Sequence, residues 1–227
     1  MLSSDPSNRP MTTFLLIRHG ENDYVKTGRM AGRAPGIHLN DKGRGEAAAL
    51  AESLKGVPLA AIYASPLERA VETAEAIALA TGLKVELAPG LMETDVGEWH
   101  GAELKKLRKL PEWKIVQGAP SRFRFPGGES FVEQQTRLVT EVERILARHK
   151  PEDIVALVFH ADPIRTVLAY YLGMPLDTFQ RLACATGSVS ILMLSPGGAM
   201  LYKMNMLHPF TLPKPPTGRK PRKKGRA

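Results

Sequence analysis

Two arginines, two histidines and two carboxylates stand, in chain order, where short apolar runs give way to loops or helix starts. Arg18 and His19 close the β-branched and apolar run Thr13–Ile17, just ahead of Gly20 and Glu21. Arg69 lies in Ser65-Pro66-Leu67-Glu68-Arg69-Ala70, after the run Leu59–Tyr63. Glu93 and Asp95 sit in the loop-like stretch Leu91–Gly101, and His160 follows the apolar Ile154–Phe159 and precedes Ala161-Asp162-Pro163. These residue types suit phosphoryl chemistry. A phosphate monoester near neutral pH is close to a dianion, so its charge must be neutralised before a nucleophile can reach phosphorus. A guanidinium stays protonated and offers planar paired donors that match phosphoryl oxygens, which fits Arg18 and Arg69. A neutral imidazole can attack phosphorus and hold the group covalently, and His19 is the histidine that directly adjoins one of these arginines. A departing alkoxide needs a proton, for which the loop offers Glu93 or Asp95. Such a scheme calls for no metal and no cofactor.

Strands and helices must alternate to bring these residues together. Thr13–Ile17, Leu59–Tyr63, Lys84–Leu87, Ile154–Phe159, Ser188–Leu194 and Met200–Met204 read as strands by their short apolar runs. Between them, Lys42–Lys55 and Leu67–Thr81 carry apolar residues at helical spacing. Ser130-Phe131-Val132-Glu133 has the capping-box spacing and starts a helix with Leu138, Val139, Val142, Ile145 and Leu146 on one face. This alternation predicts a three-layer α/β/α sandwich around a mainly parallel sheet. Ligands of open α/β sheets bind beyond the carboxyl ends of the strands, where Arg18, His19 and His160 fall. Asp162 and Pro163 read as the N-cap and first turn of a helix aimed at the same site.

The Arg18-His19-Gly20 box, the Ser65–Ala70 helix start and the Pro126-Gly127-Gly128-Glu129-Ser130 loop together resemble the histidine phosphatase superfamily, the phosphoglycerate-mutase-like group, over about Phe14 to Tyr202. The resemblance implies a phosphohistidine at His19, a general acid at Glu93 and catalytic contacts from Arg18, Arg69 and His160. The expected substrate-binding set is Arg18, Arg69, His160 and Ala161, joined by Arg122 and Arg124, whose place beside the glycine-rich Pro126 loop makes them the candidates there for touching an anionic substrate. Residues 102–128, with Lys105, Lys106, Arg108, Lys109, Arg122 and Arg124 beside Trp113 and Phe123, correspond to a cap-like insertion within a domain spanning 1–212. The chain departs from the family pattern in three places. Phe159-His160-Ala161 stands for Ser-His-Gly, Trp99-His100-Gly101 for Trp-Glu-Gly, and Val25 for an asparagine. All three leave the catalytic set intact and bear on the substrate.

Other features narrow the class of protein. Among the 227 residues no apolar run approaches a membrane span, and Cys184 is the single cysteine, which fits a buried residue in a reducing, cytoplasmic setting. Glu21 and Asp162 read as residues that hold arginines or cap helices; His38, His100, His149 and His208 read as surface or structural. From Pro213 to Ala227 there are seven basic residues and no acidic ones. That tail carries seven of the net charge of +8 and leaves the body at about +1, so any contact with a polyanion such as RNA belongs to it. Three functions are compatible: a phosphatase for a small phosphomonoester, a phosphomutase, and a non-enzymatic phosphate- or nucleic-acid-binding protein. A binding module would have no use for Glu93.

Overall fold

The first strand, β1 (Thr12–Arg18), is buried along its length and lies at the centre of the sheet in the computed structural model, which describes residues 11–210. Its parallel neighbour is β4 (Ile154–Phe159), paired from Thr13 with Ile154 to Arg18 with Phe159. Outside β4 lie β2 (Leu59–Ala64) and the short β3 (Val85–Leu87), both parallel to the centre. On the other side β5 (Val189–Ser195) runs antiparallel to β1 and β6 (Gly198–Met206) antiparallel to β5, giving the order β3-β2-β4-β1-β5-β6. The expected sheet is therefore present, and the strand runs read from sequence differ from the observed ones by a few residues at their ends.

Alternation along β1 sorts its side chains to opposite faces. Phe14 and Leu16 join Tyr63, Leu157, Phe159, Leu138, Val142 and Ile164 in one core. The helices on this face are α6 (Phe131–Leu146) and α7 (Ala161–Tyr171). Leu15 and Ile17 join Ile62, Val158, Leu50, Leu54, Ala70 and Ile77 in the other core. There the helices are α2 (Asp41–Leu54) and α3 (Glu68–Thr81), which follow the one-turn α1 (Asp23–Lys26) and β2 respectively. The capping box at the start of α6 forms as the sequence predicts: Ser130 Oγ accepts from Glu133 N, and Glu133 Oε2 accepts from Ser130 N.

Residues 102–128 carry α4 (Leu104–Leu107) and α5 (Pro111–Gly118) and pack through a third, aromatic cluster. Trp99, Phe123, Phe125 and Phe131 stand ring against ring there, with centroids 5.0–5.5 Å apart. Pairs at that spacing contribute on the order of 1 kcal/mol beyond the area they bury. At the opposite edge of the site, a Cβ on Gly20 would stand 2.5 Å from the Gly43 carbonyl oxygen, so only glycine lets the segment after His19 lie flush on α2.

Candidate active site

His19 and His160 emerge from the carboxyl ends of the paired strands β1 and β4, and their rings meet edge to face with centroids 5.2 Å apart. The tautomer of His19 follows from its partner. Nδ1 lies 2.7 Å from the Gly20 carbonyl oxygen, which can only accept, so Nδ1 carries the hydrogen and the Nε2 lone pair is free. Burial, then the charges of Arg69 and Arg18, hold the imidazole well below the usual histidine range, so it is neutral at neutral pH. His160 is fully buried and is lowered likewise, first by burial and then by Arg69. Its Nε2 lies 2.8 Å from Ser65 Oγ. Ser65 is buried and no other acceptor meets its hydroxyl, so the arrangement that satisfies both groups has Ser65 donating to Nε2. The His160 hydrogen is then on Nδ1.

The arginines are anchored by carbonyls and leave donors over. Arg18 Nη1 donates to Cys184 O at 2.7 Å, and Arg69 Nη2 donates to Gly32 O at 2.8 Å. Arg18 Nε, Arg69 Nε, Arg69 Nη1 and His160 Nδ1 are all buried without a partner. Four unpaired buried donors in one place are expensive unless an anion receives them. An oxyanion with three equatorial oxygens would satisfy them.

Glu93 borders this cluster. Oε1 accepts from Thr94 N at 2.8 Å, and Oε2 lies 3.9 Å from His160 Nδ1. Burial, and then the charge of Asp162, push its carboxyl up, against the opposing pull of Arg69. The carboxyl still keeps 19% of its side chain open. Asp95 is placed differently: it pairs with Arg33 at 3.6 Å, accepts from Gly97 N and does not line the cavity. The backbone of Glu93 is held from behind, its carbonyl accepting from Arg33 Nε at 2.8 Å. Arg33 and Arg137 both converge on Glu129, at 3.0 and 2.8 Å. The buried Gln134 donates to Thr94 Oγ1 at 2.7 Å.

Above these groups lies a cavity of about 250 Å³ lined by Arg18, His19, Arg69, Glu93, Ala161 and Asp162, together with Asn22 and a largely apolar wall. Five of the expected site residues, Arg18, His19, Arg69, Glu93 and His160, thus come together, with Ala161 at their side. Arg122 and Arg124 do not reach this cavity. Arg124 is exposed, paired with Glu133 and donating to Gly128 O, because the turn that carries it points it at the start of α6. The helix start differs too: His160, and not Asp162, is the N-cap of α7, and Asp162 lies in the first turn, where it pairs with Arg165 at 2.8 Å. Glu21 holds Lys42 rather than an arginine. Ser65, Asn22, Arg33 and Gln134 were not legible as site residues. Ser65 and Arg33 reach it only through long-range contacts, and Asn22 reads locally as a helix cap.

A central sheet with two histidines at adjacent strand ends, two inward arginines and a raised carboxyl defines a protein built to handle a phosphoryl group. The family model of the histidine phosphatase superfamily, branch 1, matches residues 14–207, and the chain belongs to that superfamily. It is 30% identical to phosphoserine phosphatase 1 of Hydrogenobacter thermophilus, over 86% of this chain and 93% of that one. It is 32% identical to glucosyl-3-phosphoglycerate phosphatase of Mycolicibacterium vanbaalenii, over 73% and 76% of the two chains. The solved structure of mycobacterial glucosyl-3-phosphoglycerate phosphatase superposes with a TM-score of 0.78 at 27% identity, covering 86% of this chain and 99% of that one. No helix among the described residues is long and apolar enough to cross a membrane.

Proposed function

We propose that this chain is a metal-independent phosphatase that hydrolyses a small phosphomonoester through a phosphohistidine on Nε2 of His19. The observation that carries the reading is the set of four unpartnered buried donors, on Arg18, Arg69 and His160, beside an imidazole whose Nδ1 is already committed to a carbonyl. In the first step the Nε2 lone pair attacks phosphorus in line, the ester P–O bond breaks, and the leaving oxygen takes the proton of Glu93. In the second, Glu93 removes a proton from water as its oxygen attacks phosphorus. The N–P bond breaks, the lone pair returns to Nε2 and phosphate departs. The arginines and His160 donate to the equatorial oxygens throughout, where fixed donors in a low-dielectric site are worth most. The raised carboxyl of Glu93 suits a group that must give a proton and take one back. The single buried Cys184 is consistent with action in the cytoplasm.

Rapid quenching with a phosphodonor tests this reading. Acid-labile, base-stable label is expected on the parent protein and absent from His19→Ala. Label that survives in His19→Ala and disappears in His160→Ala would overturn the assignment.

A further inference from the structure

The wall of the cavity bears on what leaves. Resting on the phosphatase reading, we propose that the alcohol released is uncharged and largely apolar, and that it carries an oxygen close to the ester, which accepts from the Asn22 amide. The wall above the phosphoryl cluster is formed by Tyr24, Val25, Met30, Leu104 and Phe125, which offer a ring or alkyl group contact on several sides. Beyond Arg18 and Arg69, the only cation lining the cavity among the described residues is Arg29. Arg29 is exposed, its Nε donates to Gly101 O at 3.0 Å, and its guanidinium rests 6.0 Å from the Tyr24 ring centre. Its pull on a carboxylate is therefore weakened by solvent. An anionic alcohol would also meet the carboxylate of Asp162 on the same cavity, and like charges at close range repel.

Asn22 is the exception in this wall. It is fully buried, and its Oδ1 is used to cap α1 by accepting from Val25 N at 2.9 Å. Its Nδ2 is buried without a partner. A buried amide donor left unpaired disfavours the empty site and rewards a ligand that supplies an acceptor, so it discriminates strongly between an oxygen and a methylene at the same place. The residue thereby sets specificity while also starting a helix.

The test uses the full chain and five esters: phenyl phosphate as a general probe, then phosphoserine, 3-phosphoglycerate, 2-phenoxyethyl phosphate and 3-phenylpropyl phosphate. The two arylalkyl esters are expected to exceed the two carboxylated ones in kcat/KM by about ten- to a hundredfold, the range that burying one ring supplies. Phenoxyethyl phosphate, with its ether oxygen, should exceed the isosteric phenylpropyl ester by about tenfold. Asn22→Ser retains a capping oxygen but lacks the amide donor, and should bring that last ratio to about one. Val25→Lys should reverse the order between arylalkyl and carboxylated esters. Carboxylated esters turned over as well as or better than arylalkyl ones would overturn the proposal while leaving the phosphatase reading intact, provided phenyl phosphate is cleaved. An ether-to-methylene ratio near one in the parent protein would overturn the role of Asn22. Inertness toward all five, phenyl phosphate included, would remove the phosphatase reading itself.

Discussion

Glu93 and His19 are pushed in opposite directions by the same burial, and the pH dependence of the reaction follows from that. The attacking imidazole must be neutral, and its proton affinity is depressed, so activity is expected to be lost only as pH falls below the usual histidine range. The acid must be protonated at the start of the cycle, and its proton affinity is raised, so kcat should decline as pH rises through that elevated value. A plateau between two limbs is the expected profile, and a profile rising steadily to high pH would contradict Glu93 as the acid. Glu93→Gln should slow esters of poor leaving groups by about two to four powers of ten and affect an activated aryl phosphate much less. Should Asp95→Asn give that pattern instead, the proton comes from Asp95. Because arginine and histidine supply the positive charge, turnover should persist in excess chelator, and its abolition there would refute metal independence.

The acid loop and α6 are joined by a polar network that no local pattern announces. Gln134, on α6, donates to Thr94 and accepts from Thr166 Oγ1 on α7 at 3.4 Å, all three being buried. Gln134→Leu would leave the Thr166 hydroxyl without that acceptor, at about 1–3 kcal/mol for a buried unsatisfied group, and the Thr94 hydroxyl with its contact to Glu93 Oε1 at 3.3 Å. A drop in melting temperature is expected, together with a loss in kcat for poor leaving groups that exceeds the loss for an aryl phosphate, because the Glu93 carboxyl leans on Thr94. Equal losses on both substrates would mean that Gln134 supports the fold alone. Much of the element level was legible beforehand: the apolar runs marked every strand, and Ser130 with Glu133 marked the start of α6. What escaped was assembled across sequence distance. Ser65 orients His160 from far along the chain, and Glu129 gathers Arg33 and Arg137 from two segments. Arg122 and Arg124 were misleading because a basic residue near a glycine loop has no signature of which way the turn will face it.

At the scale of the whole molecule, the alternation of strands and helices was enough to give the layers, and spacing alone could not give the sheet order or the antiparallel edge. The basic segment after Leu212 lies outside the described residues. We propose that it contacts polyanions through charge. Its deletion should leave turnover of a small ester nearly unchanged and weaken RNA binding that falls steeply with added salt. A severe loss of turnover with intact folding would show that the segment belongs to the site. The two histidines each follow directly on the last paired rung of the β1–β4 ladder, Arg18 with Phe159, so the gap between nucleophile and donor is set by strand spacing, while the apolar wall is built from α1, α4 and loops outside that ladder. The sheet thus spaces nucleophile and donor, whereas the acid shares its loop with the wall: Thr94 and Val96 line the cavity beside Glu93, and Glu98 N donates to Pro126 O at 2.8 Å. Exchanging Leu104 and Phe125 for residues of different polarity, with the Pro126–Glu129 turn kept to hold the acid loop, should change the clientele and leave the spacing of the two histidines untouched.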